Sequence, residues 1–323
     1  MKAIVQDAYG SYDVLELRDI NRPVIGDHDL LLKVCAAGVD PGVWHLMTGL
    51  PYLVRAFGFG LRAPKVRVRG RDVAGRVEAV GKNVTRFQPG DEIYGTCEGS
   101  FAEYASARED KVAAKPSNLS FEQAAAVPIS GSTALLGLRD AGQVRPGQQV
   151  LIIGAAGGVG TFAVQLAKAF GAEVTGVCST TKVDLVRSIG ADDVIDYTRE
   201  DFVDSSRRYD LILDTAGNRP LSHLRRALAS KGTLVIVGGE GGGRWFGGFD
   251  RTLRAPMLSL FVSQKLRGLM STENSANLRV LGEYIDAGKL TPVIDRTYSL
   301  SEVPQALRYV EEGHARGKVV ITV

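Results

Sequence analysis

A glycine-rich segment at residues 151–160, Leu-Ile-Ile-Gly-Ala-Ala-Gly-Gly-Val-Gly, has the composition of a nucleotide-binding turn. Ala155, Gly157 and Gly160 take the three small-residue positions of the dinucleotide fingerprint. They allow a tight turn, close approach of a pyrophosphate and close helix–strand packing, respectively. Residues 161–168 follow with helical apolar spacing. The segment predicts a strand–turn–helix unit that binds a dinucleotide; a glycine-rich turn without a ligand is the alternative.

The helix after this turn would direct its first N–H groups and the positive end of its dipole at the phosphates. We expect Gly157, Gly158 and Val159 to present these N–H groups. Gly238 and Gly239 follow a predicted strand. They would let the backbone approach the cofactor at the carboxyl edge of the sheet, where ligands of α/β proteins bind.

The end of the next predicted strand, residues 172–178, indicates which dinucleotide binds. NAD-binding proteins place an acidic side chain there, but this chain has Ser-Thr-Thr-Lys at residues 179–182 and no carboxylate until Asp184. Hydroxyls and an ammonium group favour a 2′-phosphate. We therefore expect NADPH, bound by Ser179 and Lys182; a polar helix cap followed by a solvated lysine is the alternative.

Composition limits the class of protein. A chain of 323 residues suggests about two domains. Its net charge of +3 does not favour nucleic-acid or membrane partners, and it lacks the apolar run of about 18 residues that a transmembrane helix needs. Cys35, Cys97 and Cys178 are widely spaced, and no signal peptide is evident. We expect a cytoplasmic protein.

The order of elements predicts an α/β fold with two domains. Residues 1–125 read as short strands with Gly and Pro between them, which is typical of a β-barrel. Residues 126–267 alternate between strand and helix and predict a doubly wound parallel sheet. Its strands are expected at residues 149–153, 173–178, 193–196, 211–213 and 233–237. The final segment, from about 268 to 323, is expected to complete the first domain.

Several segments resemble a known family. Residues 147–168 are similar to the quinone oxidoreductase signature, and residues 70–81, 87–95 and 317–321 resemble medium-chain dehydrogenases/reductases. The chain is thus similar, over essentially its whole length, to zinc-less members of that superfamily. The resemblance implies a GroES-like β-barrel domain, a Rossmann domain, a cofactor cleft between them and a homodimer.

The chain departs from the zinc alcohol dehydrogenases of this superfamily. Asp40 stands at the position of their cysteine ligand, and Arg71 stands at that of their histidine ligand. An arginine stays protonated and offers no lone pair to a metal. The four-cysteine structural zinc motif is also absent from the sequence. We expect no metal; a ligand pair of Asp40 and His45 is less favoured than a structural or cleft-lining role.

Without a Lewis acid to stabilise an alkoxide, oxidation of a simple alcohol is disfavoured. Hydride transfer from NADPH to a quinone, or to the β-carbon of an α,β-unsaturated carbonyl, needs only hydrogen bonding to the enolate-like product. We expect this reaction. A zinc-independent alcohol or aldehyde dehydrogenase and a non-catalytic NADPH-binding sensor or moonlighting protein remain alternatives.

The resemblance implies further cofactor contacts. It places Tyr197 beside the 2′-phosphate, Thr133 on the nicotinamide side and Lys318 near the cofactor, with surface packing, a backbone-bonded hydroxyl and a solvated lysine as their alternatives. Phe261 and Val262 are expected to wall the nicotinamide, although core packing would also explain them.

The resemblance also implies a substrate pocket lined by Asp40, Trp44, His45 and Tyr52. Tyr52 is the candidate proton donor, because a phenol can donate to a developing enolate. Asp40 is a second catalytic candidate. Residues 55–71 carry six basic side chains, which predict either a solvated loop or a funnel for an anionic ligand. Arg71 and Asp72 are expected to pair with each other.

Overall fold

The computed structural model describes residues 1–204, 206–237 and 243–323, and the chain forms two units. Residues 1–132 and 273–323 form the first unit, and residues 133–272 form the second. In chain order the strands are β1 (Lys2–Val5), β2 (Glu16–Asp19), β3 (Asp29–Val39), β4 (Asp72–Val80), β5 (Glu92–Thr96), β6 (Tyr104–Arg108), β7 (Val112–Ala114), β8 (Gln149–Ile153), β9 (Glu173–Cys178), β10 (Asp193–Asp196), β11 (Tyr209–Asp214), β12 (Leu228–Ile236), β13 (Lys265–Gly268), β14 (Ile294–Ser299) and β15 (Lys318–Thr322). The α-helices of the described residues are α1 (Pro41–Thr48), α2 (Tyr52–Val54), α3 (Phe121–Ala125), α4 (Pro128–Leu135), α5 (Gly158–Ala169), α6 (Val183–Ser188), α7 (Leu221–Ala227), α8 (Phe249–Ser259), α9 (Ser275–Asp286) and α10 (Val303–Glu311).

The second unit is built on a parallel sheet in the order β10-β9-β8-β11-β12-β13. This is the strand order of the Rossmann fold, with the chain reversing direction across the sheet between β8 and β11. The predicted fold class is confirmed, and all five predicted strands form. The sixth strand, β13, was missed because Leu266 is the one large apolar side chain among its four residues. Parallel strands buried on both faces are usually apolar, so such a segment does not stand out in the sequence.

Residues 150–169 form the centre of this unit. Val150, Leu151 and Ile152 of β8 are fully buried, as expected for the middle of a parallel sheet. Helix α5 is buried over most of its surface, with Phe162, Val164 and Leu166 among its buried residues. Since the turn between β8 and α5 is held by buried residues on both sides, its backbone has a fixed position.

The first unit contains a seven-stranded sheet, with the path β14-β15-β3-β4-β5-β7 and β6 paired with β3. Strand β15, near the end of the chain, is antiparallel to β3, and Val319 pairs with Val39. Alternate residues of β3, including Leu30, Leu32 and Val34, are buried in its core. The antiparallel strand pairs and this alternation fit the predicted β domain. A capping box of Ser120 and Gln123 begins α3.

Within the described part of the chain, every helix is too short or too polar to cross a membrane.

Candidate functional site

The fingerprint alignment predicted that Ala155 makes the tight turn after β8. In the structure Gly154 makes this turn instead. Gly154 has a φ of +83°, which favours glycine, and a Cβ there would lie 2.5 Å from Oγ1 of Thr215. Ala155 is fully buried instead. A Cβ on Gly176 of β9 would lie 3.0 Å from the Cβ of Ala155, so the alanine is small because it packs against the neighbouring strand.

The other two small residues of the turn behave as predicted by the fingerprint. A Cβ on Gly160 would lie 2.1 Å from the carbonyl oxygen of Gly154, so only glycine allows α5 to approach β8 this closely. A Cβ on Gly157 would meet only that same oxygen, at 3.3 Å, among the described atoms. Gly157 therefore has an open side, which is what close approach of a phosphate requires.

The backbone N–H groups of the turn divide into two sets. The N–H of Gly157 donates to the carbonyl of Gly154 at 2.9 Å and does not point outward, contrary to the prediction. The hydrogen-bond ladder of α5 begins with Thr161, whose N–H donates to Gly157 at 3.0 Å. The N–H groups of Gly158, Val159 and Gly160 precede it at the positive end of the helix, and no side chain caps them. This donor set fits a pyrophosphate.

Strand pairing brings the predicted 2′-phosphate ligands to one edge of the sheet. Asp196 of β10 pairs with Cys178 of β9, and the N–H of Tyr197 donates to the carbonyl of Cys178 at 3.1 Å. Ser179 and Lys182, both half-buried, follow β9 directly, and Tyr197 follows β10 with 50% of its surface exposed. The three side chains therefore start from adjacent positions at the carboxyl edge, where dinucleotides bind.

The carboxylate of Asp196, which was not among the predicted site residues, lies at the same edge. Asp196 accepts a hydrogen bond at 2.5 Å from Oγ1 of Thr180, and it accepts two more from the hydroxyl and N–H of Thr198 at 2.7 and 3.0 Å. The Thr180 hydrogen bond is the largest cause of a lowered pKa for Asp196. Since the Thr180 hydroxyl donates to Asp196, it is not available to donate to a phosphate. The sequence predicted a strand at residues 193–196, which ends beside β9. That prediction could have revealed Asp196 as a residue of this edge.

The remaining predicted cofactor residues lie in different parts of the chain. Thr133 is buried in α4, with 7% of its surface exposed. Gly238 and Gly239 lie outside the described residues. Phe261 and Val262 precede β13 and therefore lie at the amino edge of the sheet, opposite the edge that the turn after β8 occupies. The neighbouring Ser263 hydroxyl donates to the carbonyl of Ser230, near the start of β12.

The prediction for Phe261 and Val262 was wrong because it overlooked β13. Phe261 is 84% exposed, so core packing does not explain it, whereas Val262 packs against the core. The residues at the carboxyl end of β13 are Leu269 and Met270. The N–H of Leu269 donates to the carbonyl of Ile236 at 2.8 Å, and Met270 is 75% exposed.

In the first unit, Lys318 is not a solvated lysine. Its ammonium lies 3.1 Å from Oδ2 of Asp72, and these side chains are 2% and 0% exposed. The other oxygen of Asp72 accepts the N–H of Ile129 at 2.9 Å. The predicted pair of Arg71 and Asp72 does not form; Arg71 donates to Glu273 at 3.2 Å instead. Asp72 begins β4 and its carboxylate is engaged by Lys318 and Ile129, whereas Arg71 precedes the strand.

A second carboxyl group, that of Asp40, lies near this buried pair, so the single ammonium group does not balance all of the negative charge. Burial and, to a smaller extent, the nearby charge of Asp40 raise the pKa of Asp72 to about 6, against the opposing effect of Lys318. One oxygen of Asp40 accepts the N–H of Gly42 at 2.8 Å and caps α1. The other oxygen is buried without a partner among the described residues. Two buried carboxyl groups thus lie near one ammonium group.

Helix α1 carries the other predicted pocket residues. Nδ1 of His45 lies 2.8 Å from the carbonyl oxygen of Leu50 and donates a hydrogen bond to it. Trp44 packs edge-on against His45, with their ring centres 5.1 Å apart. Tyr52 begins α2, four residues after α1 ends, beside the guanidinium of Arg55.

The basic segment at residues 55–71 divides into exposed side chains, as a solvated loop predicts, and side chains that bond to α1. Arg62, Lys65 and Arg67 are exposed. The Nε of Arg55 donates to the carbonyl of Gly49 at 2.9 Å, and a nitrogen of Arg69 donates to that of Leu46 at 3.3 Å. Arg69 is 4% exposed, and burial lowers its pKa to about 10. Both cations complement the negative carboxyl end of α1. They therefore position the helix that carries the predicted pocket residues.

Among the residues that the structure describes, no group of three or more His, Cys, Asp or Glu side chains could hold a metal ion. Arg71, at the position of a zinc ligand in the resemblance, is engaged with Glu273.

Comparisons with known proteins cover both units. Residues 26–117 match the family described as alcohol dehydrogenase GroES-like domain, and residues 189–321 match zinc-binding dehydrogenase. A 2-methylene-furan-3-one reductase of Solanum lycopersicum is 36% identical over 99% of this chain and 79% of the relative. An NADPH-dependent alkenal/one oxidoreductase of Arabidopsis thaliana, a chloroplastic protein, is also 36% identical, with the same coverage. The quinone oxidoreductase of Coxiella burnetii superposes with a TM-score of 0.87 at 30% identity, covering 100% of this chain and 99% of that structure.

Proposed function

This chain belongs to the quinone oxidoreductase-like family of medium-chain dehydrogenases/reductases, and we propose that it is a zinc-independent, NADPH-dependent reductase of quinones or α,β-unsaturated carbonyls. The observation that carries the proposal is the turn after β8. There, Gly157 leaves an open side and the N–H groups of Gly158, Val159 and Gly160 precede the hydrogen-bond ladder of α5. Relatives named as reductases of a furanone and of alkenals and alkenones support the acceptor class.

Cofactor binding is assigned to the second unit. The N–H groups at the start of α5 would hold the pyrophosphate, and Ser179, Lys182 and Tyr197 would surround the 2′-phosphate at the ends of β9 and β10. Thr133, Gly238 and Gly239 remain proposed contacts, and Leu269 and Met270 replace Phe261 and Val262 as candidates for the nicotinamide side. When bound, NADPH would supply a hydride to the β-carbon of an enone or to a quinone.

We assign two roles to the first unit: it would bind the acceptor and supply the proton donor. Trp44, His45 and Tyr52 would line the acceptor pocket, whose position depends on the anchoring of α1 by Arg55 and Arg69. Asp40 and Tyr52 are the candidate groups that hold the proton for the enolate. Asp40 is favoured by its buried, unpartnered oxygen, which a proton or a substrate hydrogen bond would satisfy. Lys318 forms an ion pair with Asp72, the carboxyl group near Asp40, and acts as a positioning residue.

Zinc independence is proposed from the chemistry of the residues. The chain matches a family described as zinc-binding dehydrogenase, but Arg71 stands where zinc enzymes of the superfamily have histidine. A guanidinium offers no lone pair, and its positive charge would repel the ion. The electrophile therefore must be activated by hydrogen bonding alone, which suits acceptors that are already electron-poor.

A homodimer is proposed from an apolar face on α8 and the residues that follow it. Leu253, Met257, Leu260 and Phe261 have helical spacing and are 61–84% exposed. They lie beside β13, the edge strand of the parallel sheet. Exposed apolar patches and open strand edges of this kind favour contact with another chain. Light scattering is expected to give twice the chain mass of 34.6 kDa, and a monomer at micromolar concentration would contradict the proposal.

The position of the transferred hydrogen tests the proposed reaction. With NADPH deuterated at C4 of the nicotinamide and but-3-en-2-one as acceptor, we expect deuterium at the β-carbon of butan-2-one, detected by NMR. The carbonyl should remain intact, because no group is proposed to stabilise an alkoxide. Butan-2-one alone serves as the control and should not be reduced. Deuterium on the carbinol carbon would instead favour an alcohol or aldehyde dehydrogenase.

A further inference from the structure

Asp196 organises the edge of the sheet where the proposed 2′-phosphate ligands lie. It is 8% exposed, and it accepts hydrogen bonds from Thr180, after β9, and from Thr198, after β10. A cation also lies against it: Nε of Arg199 is 3.5 Å from Oδ2 of Asp196. The side chain of Arg199 is 74% exposed. The carboxylate is therefore buried, whereas the guanidinium that it holds faces solvent.

We propose that Arg199 determines the cofactor specificity of this protein by binding the 2′-phosphate of NADPH, with Asp196 as its positioning residue. This inference rests on the proposed function, because it requires that the second unit binds NADPH. It adds a cation that the sequence pattern at residues 179–182 did not reveal.

The geometry of a guanidinium supports this role. Nε is the nitrogen of Arg199 that lies 3.5 Å from Asp196, and the side chain is 74% exposed, so Nη1 and Nη2 can face a ligand. These two nitrogens can donate in parallel to two phosphate oxygens, an arrangement that a lysine cannot reproduce. Lys182, on the neighbouring strand end, would act as a second point charge. Tyr197 is held at the end of β9, because its N–H donates to the carbonyl of Cys178.

The state of Asp196 explains why a carboxylate at this edge need not select NADH. An acidic side chain selects NADH by accepting hydrogen bonds from the ribose hydroxyls. Here the oxygens of Asp196 already accept from Thr180 and Thr198, and Arg199 offsets the charge. Removing Arg199 would leave that negative charge unbalanced beside the phosphate. The loss should therefore appear only with ligands that carry the 2′-phosphate.

Calorimetric binding of two nucleotides to the full chain tests the inference. Adenosine 2′,5′-bisphosphate carries the 2′-phosphate and 5′-AMP lacks it, so their affinity ratio isolates that group. For Arg199→Met we expect the bisphosphate to bind about 10-fold or more weakly, the loss typical of a charged hydrogen bond. The affinity for 5′-AMP should change by less than about 2-fold. Arg199→Lys should retain part of the preference.

Arg254→Met is the matched control. Arg254 belongs to the same unit, is 75% exposed and pairs with Asp250 at 3.7 Å, so it resembles Arg199 in exposure and pairing but lies on α8. Arg254→Met should leave the affinities for adenosine 2′,5′-bisphosphate and for 5′-AMP unchanged. If wild type prefers the bisphosphate and Arg199→Met keeps that preference, the role of Arg199 is overturned while NADPH binding stands. If wild type itself shows no preference, the NADPH assignment fails, and this inference fails with it.

Discussion

Gly157→Ala is expected to weaken NADPH binding by about 30-fold or more, equivalent to roughly 2 kcal/mol. Within the protein, the new Cβ would meet only the carbonyl oxygen of Gly154 at 3.3 Å, and the φ of −84° suits alanine. The unfolding midpoint should therefore stay within about 2 °C of wild type. The methyl group would instead occupy the open side of the turn, where the pyrophosphate must approach the N–H groups of α5. Tryptophan or nucleotide fluorescence titration measures the affinity.

Two further glycine variants serve as controls for this result. Gly282→Ala, in α9, brings its Cβ no closer than 3.6 Å to the hydroxyl of Tyr94, so it should leave binding unchanged and raise stability by up to about 1 kcal/mol. Gly160→Ala should lower stability itself, because its Cβ would lie 2.1 Å from a carbonyl oxygen. Wild-type NADPH affinity in Gly157→Ala would mean that the phosphates do not contact this turn.

Lys318→Met is expected to destabilise the first unit by about 3–5 kcal/mol at neutral pH, because it leaves the carboxylate of Asp72 buried without its cation. Chemical denaturation, followed by a probe in this unit, measures the loss. The double variant Asp72→Asn/Lys318→Met removes the unpaired charge and keeps an acceptor for the N–H of Ile129, so it should recover much of the stability. Equal stability of the single variant and wild type would contradict the buried pair.

The pH dependence of the same unit follows from the pKa of Asp72. The pKa is raised from 3.8 to about 6 in the folded chain, mainly by burial. Between these values the folded state holds a proton that the unfolded state releases, so stability should fall as the pH rises through this window. Asp72→Asn should remove this contribution to the slope. The deficit of Lys318→Met should likewise be larger above pH 6 than below pH 4, since the uncharged carboxyl needs no cation.

Features that depend on neighbouring residues were predictable from the sequence. The glycine-rich turn and the five predicted strands of the second unit are encoded within short segments, and each forms where the sequence predicted it. Even there, the left-handed position belongs to Gly154 and not to Ala155. An alignment of small residues gives their number and spacing but not which of them needs a positive φ.

Features that depend on tertiary pairing were not predictable in this way. Lys318 meets Asp72 across 246 residues, through the pairing of strands in the first unit. Asp196 reaches Thr180 because β9 and β10 lie side by side in parallel. The short, charged strand β13 has no apolar pattern, and its omission displaced the predicted nicotinamide wall to Phe261 at the opposite edge. In each case the sequence supplies the residue, but the sheet register determines its neighbour.

The central claim is zinc-independent hydride transfer from NADPH, and steady-state kinetics of chelator-treated protein test it most directly. Oxidation of NADPH and NADH would be followed with but-3-en-2-one and with a benzoquinone, after removal of metal is verified by elemental analysis. We expect turnover to survive and kcat/KM to favour NADPH by about 10-fold or more, because Lys182 and the edge of the sheet favour the 2′-phosphate. Loss of turnover that zinc restores, or a preference for NADH, would contradict the account.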